Sequence, residues 1–142
     1  VLKAKAEYGA NQVLFCPNGD VQETGASNFI LINGNEIITK PLTDEFLHGV
    51  TRDSVLTVAK DLGYTVTERN FTVDELKTAI ENGAEAILTG TAAVISPVTS
   101  FVIDGKEIEV KSQERGYAIR KAITDIQYGL TEDKHGWLVE VC

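Results

Sequence analysis

The stretch Glu23-Thr24-Gly25-Ala26-Ser27-Asn28-Phe29-Ile30-Leu31-Ile32-Asn33-Gly34-Asn35-Glu36-Ile37-Ile38-Thr39 sets two β-branched apolar runs on either side of an Asn-Gly turn. Asn28 to Ile32 reads as one strand and Glu36 to Thr39 as the next. Asn-Gly supplies the positive φ values that a tight hairpin requires. Just before the first run, Thr24-Gly25-Ala26-Ser27 breaks the strand pattern and leaves a carboxylate, Glu23, at the break.

The same logic extends in both directions. Upstream, Gln12 to Cys16 reads as a strand that turns through Pro17-Asn18-Gly19-Asp20 into Val21 to Glu23, so the opening is an antiparallel meander. Leu2 to Tyr8 reads as the tail of a helix closed by Gly9. Downstream of Pro41 the period changes. Val55, Leu56, Val58, Ala59 and Leu62 fall at helical spacing, which predicts a helix from Val50 to Leu62, ended by Gly63. Tyr64 to Thr67 reads as a short strand. Thr72-Val73-Asp74-Glu75 has the form of a capping box, in which hydroxyl and carboxylate each satisfy an orphan amide. The helix it opens stops at Gly83. Ala84 to Thr89 and Ala93 to Val98 read as strands, Phe101 to Ile103 and Glu107 to Val110 as a hairpin around Asp104-Gly105, and Arg115 to Tyr128 as a final helix before Gly129. The expected fold is a single α+β domain over residues 1–142, with antiparallel, hairpin-rich sheets packed against helices.

A chain of 142 residues suits one core, and 43% apolar with 24% charged residues is an ordinary globular balance. No apolar run has membrane-spanning length, and no apolar signal segment follows Val1. The net charge of −8 repels nucleic-acid phosphates and anionic membrane surfaces. Two cysteines, Cys16 and Cys142, are too few for a disulfide framework, and a cytoplasmic location is expected. Cys16, inside the run Val13-Leu14-Phe15-Cys16, reads as a small core residue. Asn70-Phe71-Thr72 matches a glycosylation sequon, but Thr72 is better explained as a helix cap. No His/Ser/Asp set and no metal-ligand spacing is present, which argues against a hydrolase and against a metal site. The chain has no methionine and opens on Val1, so it is expected to be a piece of something larger.

Three stretches interrupt good structural patterns with polar or glycine residues. They are Glu23 to Asn28, then Leu47-His48-Gly49-Val50-Thr51-Arg52-Asp53, then Thr89-Gly90-Thr91-Ala92-Ala93. The second runs a glycine loop into a helix start, where unpaired amides and the positive dipole end attract a phosphate or carboxylate. The plain alternative is that Thr51 only caps the helix. Gly90-Thr91 reads equally as an anion nest or a simple turn. Glu23 alone reads as a solvated strand-end glutamate.

Taken together and in order, these stretches resemble the branched-chain amino-acid aminotransferases of the fold-type IV pyridoxal-phosphate enzymes. The family pattern Glu-x-Gly-x-x-Asn matches Glu23 to Asn28. Pro-Leu followed by Leu-x-Gly-Val-Thr-Arg matches Pro41-Leu42 and Leu47 to Arg52. Gly-Thr-Ala followed by Pro-Val matches Gly90-Thr91-Ala92 and Pro97-Val98. The tail Thr124-Asp125-Ile126-Gln127-Tyr128-Gly129 with Gly136-Trp137 resembles the branched-chain subgroup. The resemblance implies that this is the C-terminal, cofactor-binding domain of a homodimeric enzyme. It implies transamination of leucine, isoleucine or valine with 2-oxoglutarate through pyridoxal 5'-phosphate. Glu23 would pair with the pyridine nitrogen and Leu47 would pack on the ring. Val50 and Thr51 would hold the phosphate, joined by Thr91. The amides of Thr91 and Ala92 would receive the substrate carboxylate. The family's Schiff-base lysine and the small N-terminal domain would lie upstream of Val1, since Lys3 and Lys5 do not match the lysine motif. His48 departs from the family's usual proline. Ala93 and Ser96 stand where some relatives carry a redox cysteine pair, so no thiol switch is expected.

Two further readings keep the fold but change the chemistry, to an aminodeoxychorismate-lyase-like or a D-amino-acid aminotransferase-like enzyme. One from another class is a non-catalytic module that binds a phosphorylated ligand. Without the lysine, the 142-residue chain alone is expected not to transaminate. Measurable exchange between leucine and 2-oxoglutarate by the purified fragment would refute that.

Overall fold

Phe29, Ile30, Leu31 and Ile32 are all almost fully buried, so this strand is covered on both faces. In the computed structural model, which describes residues 1–141, it is β1 (Asn28–Asn33), the centre of a five-stranded sheet. β1 pairs antiparallel with β2 (Glu36–Thr39) through a turn with Gly34 at φ 59°. Its other edge pairs antiparallel with β4 (Glu85–Gly90), which in turn pairs with β5 (Val94–Pro97). β3 (Thr65–Glu68) completes the order β3-β2-β1-β4-β5.

The sheet is not wholly antiparallel, as the hairpin pattern had suggested. β3 runs parallel to β2, with Glu36 opposite Thr65 and Thr39 opposite Glu68. The reason is α2 (Val50–Asp61), which crosses over between them and returns the chain in the same direction. The opening arm also differs from expectation. Phe15 N donates to Glu23 O and Gln22 N donates to Phe15 O, both at 2.9 Å, but only a single bridge, Leu14 to Thr24, forms. Pro17 to Gly19 coil into a 3-10 turn with Asn18 at φ 53°. The return arm then leaves its partner, because Val21 N donates to Phe71 O at 3.0 Å and Asp20 bridges Thr72. Neither Gln12 to Cys16 nor Val21 to Glu23 is therefore a strand.

Alternation along β1 divides the interior into two cores. Ile30, Ile32 and Ile37 pack with Val55, Leu56 and Ala59 of α2 and with Ile119, Ile123 and Ile126 of α4 (Glu114–Gln127). Phe29, Leu31 and Ile38 face the other way, against Leu76, Ala79 and Ile80 of α3 (Val73–Glu81). A separate hairpin of β6 (Ser100–Ile103) and β7 (Lys106–Glu109) sets Phe101 edge-on to Phe29 at 6.2 Å. α1 (Leu2–Tyr8) ends at Gly9 in the left-handed region and buries none of its residues. The tail returns to the end of α2, where His135 Nε2 lies 2.6 Å from Asp61 and stacks on Trp137. Cys16 is half-buried against the second core, and burial pushes its thiol up. The reading of Cys142 lies outside the described residues. Among those residues, no helix is long and apolar enough to cross a membrane.

Half of the expected capping box is present at α3. Thr72 Oγ1 accepts from Glu75 N at 3.2 Å, but the Glu75 carboxylate turns to Arg69, whose Nη1 approaches at 3.1 Å. The hydrogen bond from that guanidinium holds the Glu75 carboxyl below its usual range. A less visible cap secures α4. Glu85, 1% exposed, accepts from Gly116 N at 3.0 Å, Arg115 N at 3.2 Å and Ser112 Oγ at 3.0 Å, with the Arg115 guanidinium at 3.6 Å. A side chain at Gly116 would meet Ile87 Cγ2 at 2.9 Å, so this turn of the helix lies directly on the sheet. Glu85→Ala leaves the buried Gly116 amide and the half-buried Arg115 amide without an acceptor. It is expected to lower unfolding free energy by on the order of 3 kcal/mol. Urea unfolding checks this, and an unchanged midpoint would show that α4 is held some other way.

Candidate functional site

The register of β1 against β4 places Asn28 opposite Thr89. β1 begins where β4 ends, so the segment leading into β1 and the turn leaving β4 must be neighbours. The start of α2 joins them. These three breaks line one open cleft of about 150 Å³, to which Glu23, Leu47, Val50, Thr51 and Thr91 all contribute. Ala92 sits in the same turn as Thr91 and is exposed, but it does not line the cleft.

One side chain fixes the arrangement. Asn28 Nδ2 donates to Glu23 Oε2 at 3.0 Å and to Leu47 O at 3.0 Å. Asn28 is 8% exposed, and both donors of its amide are used. Its Oδ1 stands 2.3 Å from where a Cβ on Gly49 would lie. Gly49 has φ −63° and ψ 123°, ordinary extended backbone, so the glycine is required by space and not by its dihedral angles.

Gly49 is the N-cap of α2, and no side chain caps the helix. Thr51 is therefore not the cap, and the first amides of α2 are left for a ligand. Leu47 and Val50 stand 73% and 83% exposed at the cleft and give it apolar surface. Arg52 carries the one positive side chain of the lining, yet it is 3% exposed and committed elsewhere. Its Nη2 donates to Lys40 O at 2.8 Å and Glu68 Oε1 at 2.6 Å, which ties the first turn of α2 to the ends of β2 and β3. Attraction for an anion thus comes from backbone dipoles more than from side-chain charge. Beyond the Gly90 turn, Val94 has φ 59°, a strained conformation for a β-branched residue. Among the described residues, no group of three or more His, Cys, Asp or Glu could hold a metal ion.

Comparison with known proteins gives the family. The family model for amino-transferase class IV matches residues 1–101. The chain belongs to the class IV aminotransferases. A probable branched-chain-amino-acid aminotransferase of Staphylococcus epidermidis is 38% identical over 143 residues, covering 95% of this chain and 40% of the relative. The solved branched-chain amino acid aminotransferase from Escherichia coli superposes with TM-score 0.80 at 32% identity, covering 95% of this chain and 44% of that one. A T.th. branched-chain amino acid aminotransferase, solved with pyridoxamine 5'-phosphate, superposes with TM-score 0.78 at 32% identity, covering 97% and 45%. The chain spans about 40% of the length of the relatives it matches, and its α+β fold is that of the class IV structures.

Three residues of this class IV aminotransferase chain lie in the quoted stretches, but the sequence reading gives them no role in the site. Asn28 was visible only as a motif position. Arg52 sits at helical spacing with Val55, Leu56 and Ala59, and a charge on an apolar stripe was the available signal. Thr89, 2% exposed, lines the cleft with its hydroxyl unpartnered, and nothing in sequence distinguishes it from an ordinary strand threonine. The crowding at Gly49 gives a sharp expectation. Gly49→Ala should cost about 1–3 kcal/mol by displacing the Asn28 carboxamide. Most of that cost should vanish in an Asn28→Ala background. A double-mutant cycle by urea unfolding checks it, and additive costs would show that the two positions are not coupled.

Proposed function

We propose that the full-length protein exchanges amino groups between leucine, isoleucine or valine and 2-oxoglutarate, with pyridoxal 5'-phosphate held in this cleft. The observation that carries the reading is the convergence of three sequence-distant breaks on one cleft with a fixed carboxylate, an uncapped helix start and exposed aliphatic groups. The donor set fits such a cofactor. A helix start without a cap suits a phosphate. A carboxylate anchored by Asn28 suits a protonated ring nitrogen. Leu47 offers apolar surface for a flat ring. The names of the relatives, and the pyridoxamine 5'-phosphate of the T.th. structure, support the same choice.

In this reading the amides of Val50 and Thr51, the Thr51 hydroxyl and Thr91 hold the phosphate. Leu47 packs against the ring. The amides of Thr91 and Ala92 receive the substrate α-carboxylate. Glu23 holds a proton on the ring nitrogen, and the Asn28 amide keeps its carboxylate aimed. The bound cofactor supplies an electron sink for the charge left at the substrate Cα. No lysine lines the cleft among the described residues. We assign the cofactor-anchoring lysine, which also moves the Cα proton, to the part of the longer enzyme that precedes these residues. Residues 1–142 are then its C-terminal cofactor-binding domain, and a small N-terminal domain closes the pocket. A cytosolic homodimer completes the proposal, on the strength of the family resemblance.

Glu23→Ala in the full-length enzyme tests the assignment. The folded variant is expected to lose on the order of 10²-fold in kcat for leucine with 2-oxoglutarate, the scale of removing one preorganised electrostatic partner. Near-normal kcat would overturn it.

A further inference from the structure

We propose that the Thr89 hydroxyl is a direct hydrogen-bond donor to the phosphorylated pyridine cofactor, an additional contact in the cleft floor. This rests on the cofactor reading of the cleft. Three threonines are buried among the described residues: Thr24, Thr39 and Thr89. The first two spend their hydroxyls inside the chain. Thr39 Oγ1 donates to Phe29 O at 2.9 Å, and Thr24 Oγ1 donates to Ser27 O at 3.2 Å. Thr89 Oγ1 is equally shielded and has no partner.

An unpaired buried hydroxyl is a net cost to the fold, and a valine of the same shape would avoid it. The position of the residue gives the hydroxyl a use. Thr89 lies directly opposite Asn28 on the neighbouring strand, so the two side chains stand together on one face of the sheet. That face is the floor of the cleft, which both residues line. The Asn28 amide has spent both its hydrogens on Glu23 and Leu47. Thr89 is therefore left as the neighbouring free donor, next in sequence to the Gly90-Thr91 turn. A threonine hydroxyl carries one hydrogen and two lone pairs. The phosphate oxygens of the cofactor and the hydroxyl oxygen on its pyridine ring are acceptors for that hydrogen. Asp133 Oδ1 is also buried without a partner, but its other oxygen accepts from Leu138 N at 2.7 Å and it does not line the cleft.

The test uses the full-length protein stripped of cofactor, as wild type, Thr89→Val and Thr89→Ser. Two quantities are read: the melting temperature of each apoprotein, and the dissociation constant for pyridoxal 5'-phosphate by absorbance titration. Thr89→Val should leave the apoprotein melting temperature unchanged or raised while weakening cofactor binding by about tenfold, and Thr89→Ser should stay within about threefold of wild type. Three results would overturn the proposal. One is undiminished affinity in Thr89→Val. Another is a lower apoprotein melting temperature in that variant, which would mean that the hydroxyl already serves the fold. The third is equal loss in Thr89→Ser, which would place the effect in the methyl group. Failure of the wild-type apoprotein to bind the cofactor at all would instead overturn the underlying cofactor reading, and this proposal with it.

Discussion

The carboxamide of Asn28 is the point on which the site turns. It stands at the head of the central strand, where antiparallel pairing with Thr89 of β4 fixes its position. From there its two N–H groups reach a carboxylate five residues upstream and a backbone carbonyl nineteen residues downstream. The residue type follows from that duty. Aspartate has the same shape but would set a third acceptor against two others, and the loop and the carboxylate would both lose their donor. The carbonyl end of the amide does as much by exclusion, since it occupies the space that any side chain at position 49 would need.

The rest of the fold supplies what that amide connects. Parallel pairing of β3 with β2 is the consequence of α2 as a crossover, and it puts Glu68 where it can hold Arg52. Arg52 in turn binds the carbonyl of Lys40, so the first turn of α2 is clamped to both strands beneath it. A guanidinium so placed holds the helix start in position while its own charge is neutralised by Glu68. This resolves the tension between a net charge of −8 and a cleft suited to an anion. The attraction is local and comes from the uncapped amides at the start of α2, while exposed charges more than a Debye length away are largely screened.

Much of this was legible in the residues. Asn33-Gly34, Asp104-Gly105 and Gly129 mark ends that the structure keeps, because turn geometry and helix termination are local and depend on φ more than on context. The Thr72 cap was legible for the same reason. What sequence could not deliver was competition between partners. Glu75 had to choose between the amide of its own cap and Arg69, and a full charge opposite won over a neutral N–H. Val21 had to choose between its hairpin partner and Phe71, and with it went a strand. Parallel against antiparallel pairing of β3 is settled by the packing of α2 on the sheet, which no short window contains. In the site, Asn28 and Arg52 stand in the motifs, but the bonds by which they hold Glu23, Leu47 and the start of α2 are long-range and have no sequence signature.

Two of the three cleft glycines, Gly49 and Gly90, show how far the chain itself dictates its site. A Cβ at Gly49 would collide with a side chain pinned by two hydrogen bonds, so glycine there is an internal requirement. A Cβ at Gly90 would meet Ser27 Oγ at 3.5 Å and Ala26 O at 3.6 Å, which is ordinary contact, and its backbone is not in the left-handed region. The strain in this turn sits four residues on, at Val94, held by its pairing with Gly90. One wall of the cleft is thus shaped by packing among the chain's own groups, and the other by a turn whose strained end is sustained by the sheet. Backbone strain of this kind survives only where the surrounding structure over-determines it. Here that structure is the β4–β5 ladder, while the β1–β4 ladder on the other edge of β4 places Thr89 beside Asn28. The two ladders on either edge of β4 together fix where Gly90 and Thr91 meet the start of α2.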